Sequence, residues 1–480
     1  MSAETNPVPT LDIFILTFNA AKRQIDSSVF ARHIYDAFGQ NASNLPELVV
    51  ISLQEISPVA QAFIGSYMLN AYFQRYEKAV NIAATKFVTE VERQYSSKDC
   101  PYTLVTTRSV GMTGILLFAR DPDAVKHIRA TEVAFGAGDM ANKGAVGLRI
   151  HYNKTNADGF LLASTELTFV SAHLAAMEWN LEKRNKNWET IASGLLFEDP
   201  KKVAGQTTQF TRPANSDPDA HQALLRQDTE KSLQDISIYK PSAHLFVAGD
   251  LNYRISKTAP TPGSIFPDTN PDIDLSTFLT RDQLTVEKSS GRTLHGLREA
   301  KINFLPTYKL VLSPKSISHA GLDQSEGGEE DYTDEIEWSW ALHRWPSWCD
   351  RILYQEIPWW AKEITGVKRM NILAYNSLPA VRSSDHRAVF LRVEVPMLDK
   401  QYLIPPENAL DKEPRDDVHI DPRIKLPFPI DLQSWERRAQ IRKWESTIGW
   451  SMLISQSKES LVILVTIFLV SLGTWWFRSR

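Results

Sequence analysis

The chain has 480 residues, is 43% hydrophobic and carries a formal net charge of −4. That composition suits a large buried core and lacks the overall basic field that nucleic acid binding calls for. Two cysteines, Cys100 and Cys349, exclude a disulfide framework and point to a reducing compartment, and the charge of any anionic substrate must be met locally.

The N-terminal MSAETNPVPT is polar and leads into LDIFILTF, which is short enough to be a buried strand rather than a signal peptide. Further strands are expected in ELVVISLQE, GILLFAR, GAVGLRI, LTFVSAHL, HLFVAGDLN, RILYQE and AVFLRVEV, all short apolar runs bounded by polar residues. AFIGSYMLNAYFQRYEKAVNIAATKF and EWNLEKRNKNWETIASGLLF read as helices. Many strands of mixed spacing, no repeat and few hairpin turns suggest sheets packed face to face inside a helical coat. Residues 199–240 and 313–340, the latter with the acidic GGEEDYTDEIE, read as surface insertions.

After Met397 the strand pattern stops. Residues 1–397 are the expected catalytic domain and 398–457, rich in proline and charge, a linker that ends in the basic RRAQIRKW at Arg437–Trp444. Residues 458–480 hold LVILVTIFLVSLGTWWF, uncharged from Leu461 to Phe477. As a helix it reaches about 26 Å, near the thickness of a bilayer core. Its strongly apolar residues favour insertion by roughly 3 to 6 kcal/mol before the polar ones subtract from it, and the Trp pair suits an interface. A C-terminal transmembrane anchor is therefore expected, inserted after synthesis, with the catalytic domain in the cytosol. The short span favours the thinner endoplasmic reticulum membrane.

Polar residues stand at strand ends: Asn19 after DIFILTF, Glu55 after VVISLQ, His173 after LTFVSA, and Asp250 with Asn252 after HLFVAG. Asp350 in WPSWCDRILY and the pair Asp385 and His386 in VRSSDHRAV join them. Each alone reads as a cap or a satisfied polar residue. Together, a glutamate and an asparagine with nearby aspartates suit a hard cation such as Mg²⁺, which accepts a few carboxylates plus water and substrate phosphate. A phosphoester then needs an activated water and donors for developing negative charge. A phosphocysteine route through Cys349 requires an arginine about six residues later to cradle the phosphate. Gln355 stands there instead.

FVAGDLNYR and PSWCDRIL, in that order, resemble the two signature motifs of the inositol polyphosphate 5-phosphatases, within the exonuclease-endonuclease-phosphatase superfamily. FNA, SLQEI, GMTGILLFAR, MANKGAVGLR, SAHLAAMEWNLEKRN, NFLPTYK and SSDHRAV follow in family order, so the likeness covers residues 11 to 396. The resemblance implies an α+β fold: a four-layer sandwich of two packed mixed β-sheets flanked by helices, here with the transmembrane helix added. It implies Glu55 and Asn19 as Mg²⁺ ligands and Asp250 as the residue that orients or deprotonates the attacking water. Asn252, His173 and His386 would contact the scissile phosphate, with Asp350 as the carboxylate partner of His386 and Asp385 fixing metal and water. It places Tyr308 and Lys309 at a neighbouring 4-phosphate, and Asn142, Lys143, Arg184 and Asn185 among substrate-binding residues.

Four positions depart from the family pattern. Met177 stands at the second histidine after SHL, Asn187 and Trp188 replace an Asp-Tyr pair, and Leu342 occupies a basic position for which Arg344 compensates. The expected activity is Mg²⁺-dependent removal of the 5-phosphate from phosphatidylinositol 4,5-bisphosphate or a related phosphoinositide in a membrane, by a monomer with no nucleic acid partner. The alternatives are another phosphodiesterase or endonuclease of the superfamily, and a phosphoinositide-binding membrane protein without catalysis.

Overall fold

The computed structural model describes residues 8–92, 100–156, 158–207, 218–267, 275–313, 336–367, 369–412, 420–456 and 458–479. Thr10–Asn19 (β1) is extended because both of its faces are covered: Ile13 and Ile15 join one apolar core, Phe14 and Leu16 another. β1 pairs in parallel with Leu48–Gln54 (β2), and beyond β2 lies the hairpin of Thr103–Val110 (β3) and Thr113–Ala119 (β4). On its other side β1 runs antiparallel to Val389–Pro396 (β14), which carries Asn371–Ser377 (β13) at the edge.

The second sheet sets Val125–Ala134 (β5), Gly144–Thr155 (β6), Leu161–His173 (β7), Ala243–Asp250 (β8), Asp350–Gln355 (β12) and Leu297–Arg298 (β9) side by side. Only β7 and β8 are parallel among these pairs. Leu310–Leu312 (β10) and Trp338–Trp340 (β11) form a separate short ribbon.

Alternation along the strands builds the layers. Ile13, Ile15, Val50 and Leu117 from the first sheet meet Leu148, Phe169, Phe246 and Ile352 from the second in one core. The outer face of the first sheet packs Phe14, Leu16 and Ile51 on the helices Ser27–Phe38 and Asn70–Glu90 through Phe30, Phe38 and Tyr76. The outer face of the second packs Val170 and Val247 on the helix Leu181–Gly194 through Trp188 and Ile191. The result is helix, sheet, sheet, helix, the four layers expected.

The strands absent from the sequence reading are the three-residue β10 and β11 of the ribbon and β3, β5, β9 and β13, which are all edges of the two large sheets, where one flank is uncovered and the apolar pattern weakens. The first long helix is interrupted: Gly65, at φ +66°, ends Val59–Ile64, and Asn70–Glu90 starts anew after a short turn. Of the expected insertion 199–240, residues 200–207 and 218–236 are helical, and 208–217 lie outside the described residues. Of 313–340, residues 314–335 lie outside them.

The expected linker is packed over much of its length. Gln234 Nε2 donates to the carbonyls of Pro422 and Arg423, Leu426 and Phe428 pack on the second helical layer, and the helix Ser434–Gln456 lies against the domain through Gly449 and Glu445. Its proline and charge content disguised these contacts because they use backbone carbonyls, one glycine and ion pairs rather than an apolar stripe. The C-terminal run is the helix Lys458–Arg478. Among the described residues no helix is long and apolar enough to cross a membrane. Part of the span expected to do so, the side chains of 458–465, 467 and 468, lies outside them.

Candidate active site

Parallel pairing decides where the polar residues meet. β1 and β2 end together, with Asn19 paired to Gln54, and β7 and β8 end together, with His173 paired to Asp250. β12 is antiparallel to β8 and starts where β8 stops, so Asp350 sits beside Asp250. One end of the sandwich therefore collects Asn19, Glu55, His173, Asp250, Asn252, Asp350 and His386. Glu55 and Asn252 have left-handed φ of +48° and +56°, rare for residues with a side chain, and turn the chain sharply as each strand ends. Ser52 Oγ hydrogen-bonds both Ser171 Oγ (2.6 Å) and the Ala248 carbonyl (3.1 Å), tying the two sheets together beneath the site.

Asp250 is the hub. Its carboxylate accepts from Asn19 Nδ2 at 2.9 Å and from the Asn252 amide at 3.1 Å, and its Oδ2 is 3.3 Å from His173 Nε2. Burial works against its charge, but the His173 contact and the charge of His386 outweigh it and hold the carboxyl well below its usual range. Lys143 Nζ lies against the same His173 Nε2, so two groups compete for one ring nitrogen, while Nδ1 is buried without a hydrogen-bond partner among the described residues. Burial pushes Lys143 down to about 8 and, helped by Lys143, pushes the fully buried His173 down as well. At Glu55, burial raises the carboxyl but His173, Lys143 and Lys22 more than offset it; Lys22 Nζ is 3.3 Å from Glu55 Oε2.

Opposite the hub, His386 Nδ1 bonds Asp350 Oδ2 at 2.9 Å, and Thr307 Oγ1 donates to that oxygen at 2.7 Å. Burial opposes the imidazolium, yet Asp350, Asp250 and Asp385 raise it to about 9. Tyr308 packs its ring 4.5 Å from that of His386, and the buried Arg254 guanidinium lies 4.4 Å from the Tyr308 ring centre and donates to Asn252 Oδ1. Lys309 pairs with Asp385 at 2.7 Å, so Asp385 faces the expected 4-phosphate residue, while the preceding Ser384 donates its hydroxyl to the Asn19 carbonyl at 2.6 Å. Arg344 pairs with the buried Glu178, and its charge is felt by Lys309.

Three expected substrate residues are used by the protein itself. Arg184 is fully buried and donates to the carbonyls of Ala175 and Met177 and to Gln283 Oε1. Asn185 donates to Glu287 and accepts from the Tyr253 hydroxyl. Asn142 closes its own loop, its Oδ1 accepting from the Ala137 amide at 3.0 Å. The sequence reading passed over Arg254, Thr307 and Lys22. Arg254 closes FVAGDLNYR and Thr307 opens TYK, so both stood inside quoted motifs, but nothing in one sequence marks a positioning residue apart from its neighbours.

The oxygen donors of Glu55, Asp250 and Asn19 make a hard-cation set, and the ammonium groups of Lys22 and Lys143 leaning toward them show that the cluster draws positive charge. These residues fit a divalent cation. Asp250, Asp350 and His386 also bring ligand atoms within 4.8 Å of one another. There, against burial, the carboxylates of Asp350, Asp250 and Asp385 raise His386 to about 9, which suits a proton donor. Cys349 is fully buried, burial raises its thiol well above the usual range, and its carbonyl accepts from the Leu251 amide at 2.7 Å. It is a packing residue behind Asp350, joining the two motifs through its backbone.

The model of "Endonuclease/Exonuclease/phosphatase family 2" matches residues 16–392. A polyphosphatidylinositol phosphatase of Saccharomyces cerevisiae is 25% identical over 397 residues, 81% of this chain and 27% of that protein. Type I inositol polyphosphate 5-phosphatase 5 of Arabidopsis thaliana is 28% identical over 281 residues, 58% of this chain and 41% of that protein. Phosphatidylinositol 3,4,5-trisphosphate 5-phosphatase 1 of Mus musculus is 25% identical over 271 residues, 56% of this chain and 18% of that protein. The matches thus span less than half the length of each of these relatives. The fold is shared with the inositol polyphosphate 5-phosphatase domain of SpSynaptojanin, solved in complex with inositol (1,4)-bisphosphate and calcium ion. The TM-score is 0.50 at 20% identity, covering 91% of this chain and 93% of that one.

Proposed function

Because the chain belongs to the endonuclease/exonuclease/phosphatase family 2, and relatives there are named inositol polyphosphate 5-phosphatases, we propose that it removes the 5-phosphate from a phosphoinositide, with phosphatidylinositol 4,5-bisphosphate the preferred substrate and Mg²⁺ the cation. The observation that carries this reading is the placement of the Asp250 hub opposite the His386–Asp350 pair, with Lys309 held by Asp385, the residue before His386. Glu55, Asn19 and Asp250 would hold the cation, which supplies positive charge at the phosphoryl oxygens and polarises water.

Two groups support direct water attack. Asp250 has low proton affinity, so it orients a water by accepting its hydrogen and takes up the proton only as the bond to phosphorus forms. His386, carrying its proton at neutral pH and held by Asp350, donates to a phosphoryl oxygen where negative charge grows. Asn252 is fixed between Arg254 and the Leu174 carbonyl and steadies the same phosphate. The test is phosphate release by the full chain in detergent with Mg²⁺, across a panel of phosphoinositides and soluble inositol phosphates. No release from any 5-phosphorylated member sinks the reading, and cleavage of DNA instead would move the chain to the nuclease branch.

Lys309 sets the substrate preference. Its ammonium is half-exposed and raised by Asp385 against the effect of burial, so it stays charged at any physiological pH. A charge-assisted contact to a 4-phosphate contributes about 1.5 to 3 kcal/mol. Lys309→Ala should therefore lower kcat/KM about ten- to a hundredfold more for the 4,5-bisphosphate than for a substrate lacking the 4-phosphate. Freeing Asp385 affects both substrates alike, so equal losses would leave Lys309 with a general role only.

The proposed place of action is the cytosolic face of the endoplasmic reticulum membrane, as a monomer anchored by residues 458–480. What supports it is the uncharged, mostly apolar run from Leu461 to Phe477 in a helical segment. Full-length protein released from membranes by carbonate would refute the anchor.

A further inference from the structure

The family match ends at residue 392, yet the helix Ser434–Gln456 returns to the catalytic domain. Its docking is specific. Trp435 Nε1 donates to the Leu196 carbonyl at 3.0 Å, and the Asp431 amide just before the helix donates to the Ser193 carbonyl at 2.9 Å. Gly449 sits so close to the helix Val59–Ile64 that a Cβ there would lie 2.9 Å from the Ala60 carbonyl and 3.0 Å from Phe63 Cβ. Between these contacts, Glu445 is only 3% exposed. Its Oε1 accepts from the Ala141 amide at 2.7 Å, and Arg438 grips both of its oxygens at 2.8 Å while reaching Glu132 on β5 at 2.8 Å.

Ala141 is two residues from Lys143, in the loop that follows β5. The Ala141 carbonyl accepts from the Met112 amide at 3.2 Å, and the Met112 carbonyl accepts from the Ile56 amide at 3.2 Å, directly after Glu55. Gly111 presses against this carbonyl so tightly that a Cβ would come within 1.9 Å of it. A continuous line of hydrogen bonds thus runs from Glu445 through Ala141 and Met112 to the backbone beside Glu55, while the same loop delivers Lys143 to His173.

We propose that the helix Ser434–Gln456 is a positioning element of the active site, with Glu445 fixing the loop that carries Lys143 and braces Glu55. The inference rests on the catalytic reading above and adds to it a residue outside the family match. Its consequence is that the tail does more than attach the enzyme: undocking the helix slows the chemistry on a soluble substrate, where attachment is irrelevant. A packed loop moved by a fraction of an ångström misplaces the reacting groups and leaves binding largely intact, so the loss should fall on kcat.

The experiment uses the full chain in detergent with inositol 1,4,5-trisphosphate, together with hydrogen exchange over residues 136–143. Glu445→Ala is expected to lower kcat about tenfold or more with KM changed little, and to raise exchange at the loop. Glu445→Gln keeps an acceptor for the Ala141 amide and should restore most of both. Should Glu445→Ala fail to fold, Gly449→Val displaces the helix without touching the loop and is expected to give the same pattern. Full kcat in a variant whose loop exchange has risen overturns the proposal, as does unchanged exchange in Glu445→Ala. A wild-type chain that releases no phosphate from this or any other 5-phosphorylated substrate would defeat the catalytic reading instead, and the exchange measurement would still decide whether the helix fixes the loop.

Discussion

Asp250→Asn is expected to lower kcat by about a thousandfold or more while the protein still folds. The carboxylate receives three converging groups: Asn19 Nδ2 and His173 Nε2 approach Oδ2, and the Asn252 amide donates to Oδ1. A carboxamide has one acceptor to offer them, so its NH₂ must face a donor on one side. That mismatch costs about 1 to 3 kcal/mol, tolerable in a core of this size. The stability effect has a defined pH range. The Asp250 carboxyl is held below its unfolded value, so its contribution is present above about pH 4 and is lost as pH falls through the depressed folded value. At pH 7 the variant should therefore melt somewhat earlier than the wild type, and near pH 3 the gap should narrow. Chemistry suffers far more, because the substituted side chain neither contributes negative charge to the cation cluster nor accepts the proton of an attacking water. More than a tenth of wild-type kcat, with the fold confirmed by melting, would remove Asp250 from its assigned role.

The contrast between Asp250 and Arg184 marks what could be read before the structure. Asp250, Asn19, Glu55 and His173 were legible because each follows an apolar run, and an apolar run that ends in a polar residue ends at the rim of a sheet. Parallel pairing then brings such rims together, a step that needs topology but no further chemistry. Arg184 was placed among the substrate-binding residues by the resemblance alone, and nothing in the residue order shows that the turn at Met177 and Glu178 presents carbonyls to its buried guanidinium. The edge strands β3 and β5 were lost because one flank of each lacks a partner, and the docked helix Ser434–Gln456 because ion pairs and a single glycine hold it. Contacts made by backbone carbonyls and buried ion pairs leave no periodic trace in the residue order.

His386→Ala is expected to cost about as much as the loss of Asp250, on the order of a thousandfold in kcat, because it removes the donor opposite the attacking water. The pH profile distinguishes that role from simple packing. His386 is raised to about 9 by Asp350, Asp250 and Asp385 despite burial, so wild-type activity should fall as pH rises through about 9. Folding stability should follow the same sign: the contribution of the raised imidazole is complete below its unfolded value of about 6.5 and is lost as pH climbs through about 9. Lys143, lowered to about 8, titrates nearby and could produce a similar limb. The two are separable by moving the cause of each. Asp350→Asn keeps an oxygen for His386 Nδ1–H but removes the charge, so it should shift a His386 limb downward toward the ordinary histidine range. Lys143→Arg keeps a positive charge through the whole range and should abolish a lysine limb while leaving a histidine one in place. A limb that ignores Asp350→Asn and disappears in Lys143→Arg would transfer the proton-dependent step to Lys143. One that moves with Asp350→Asn alone assigns it to the His386–Asp350 pair, an arrangement in which PSWCDRIL and SSDHRAV, 36 residues apart in sequence at Asp350 and His386, act as one acid.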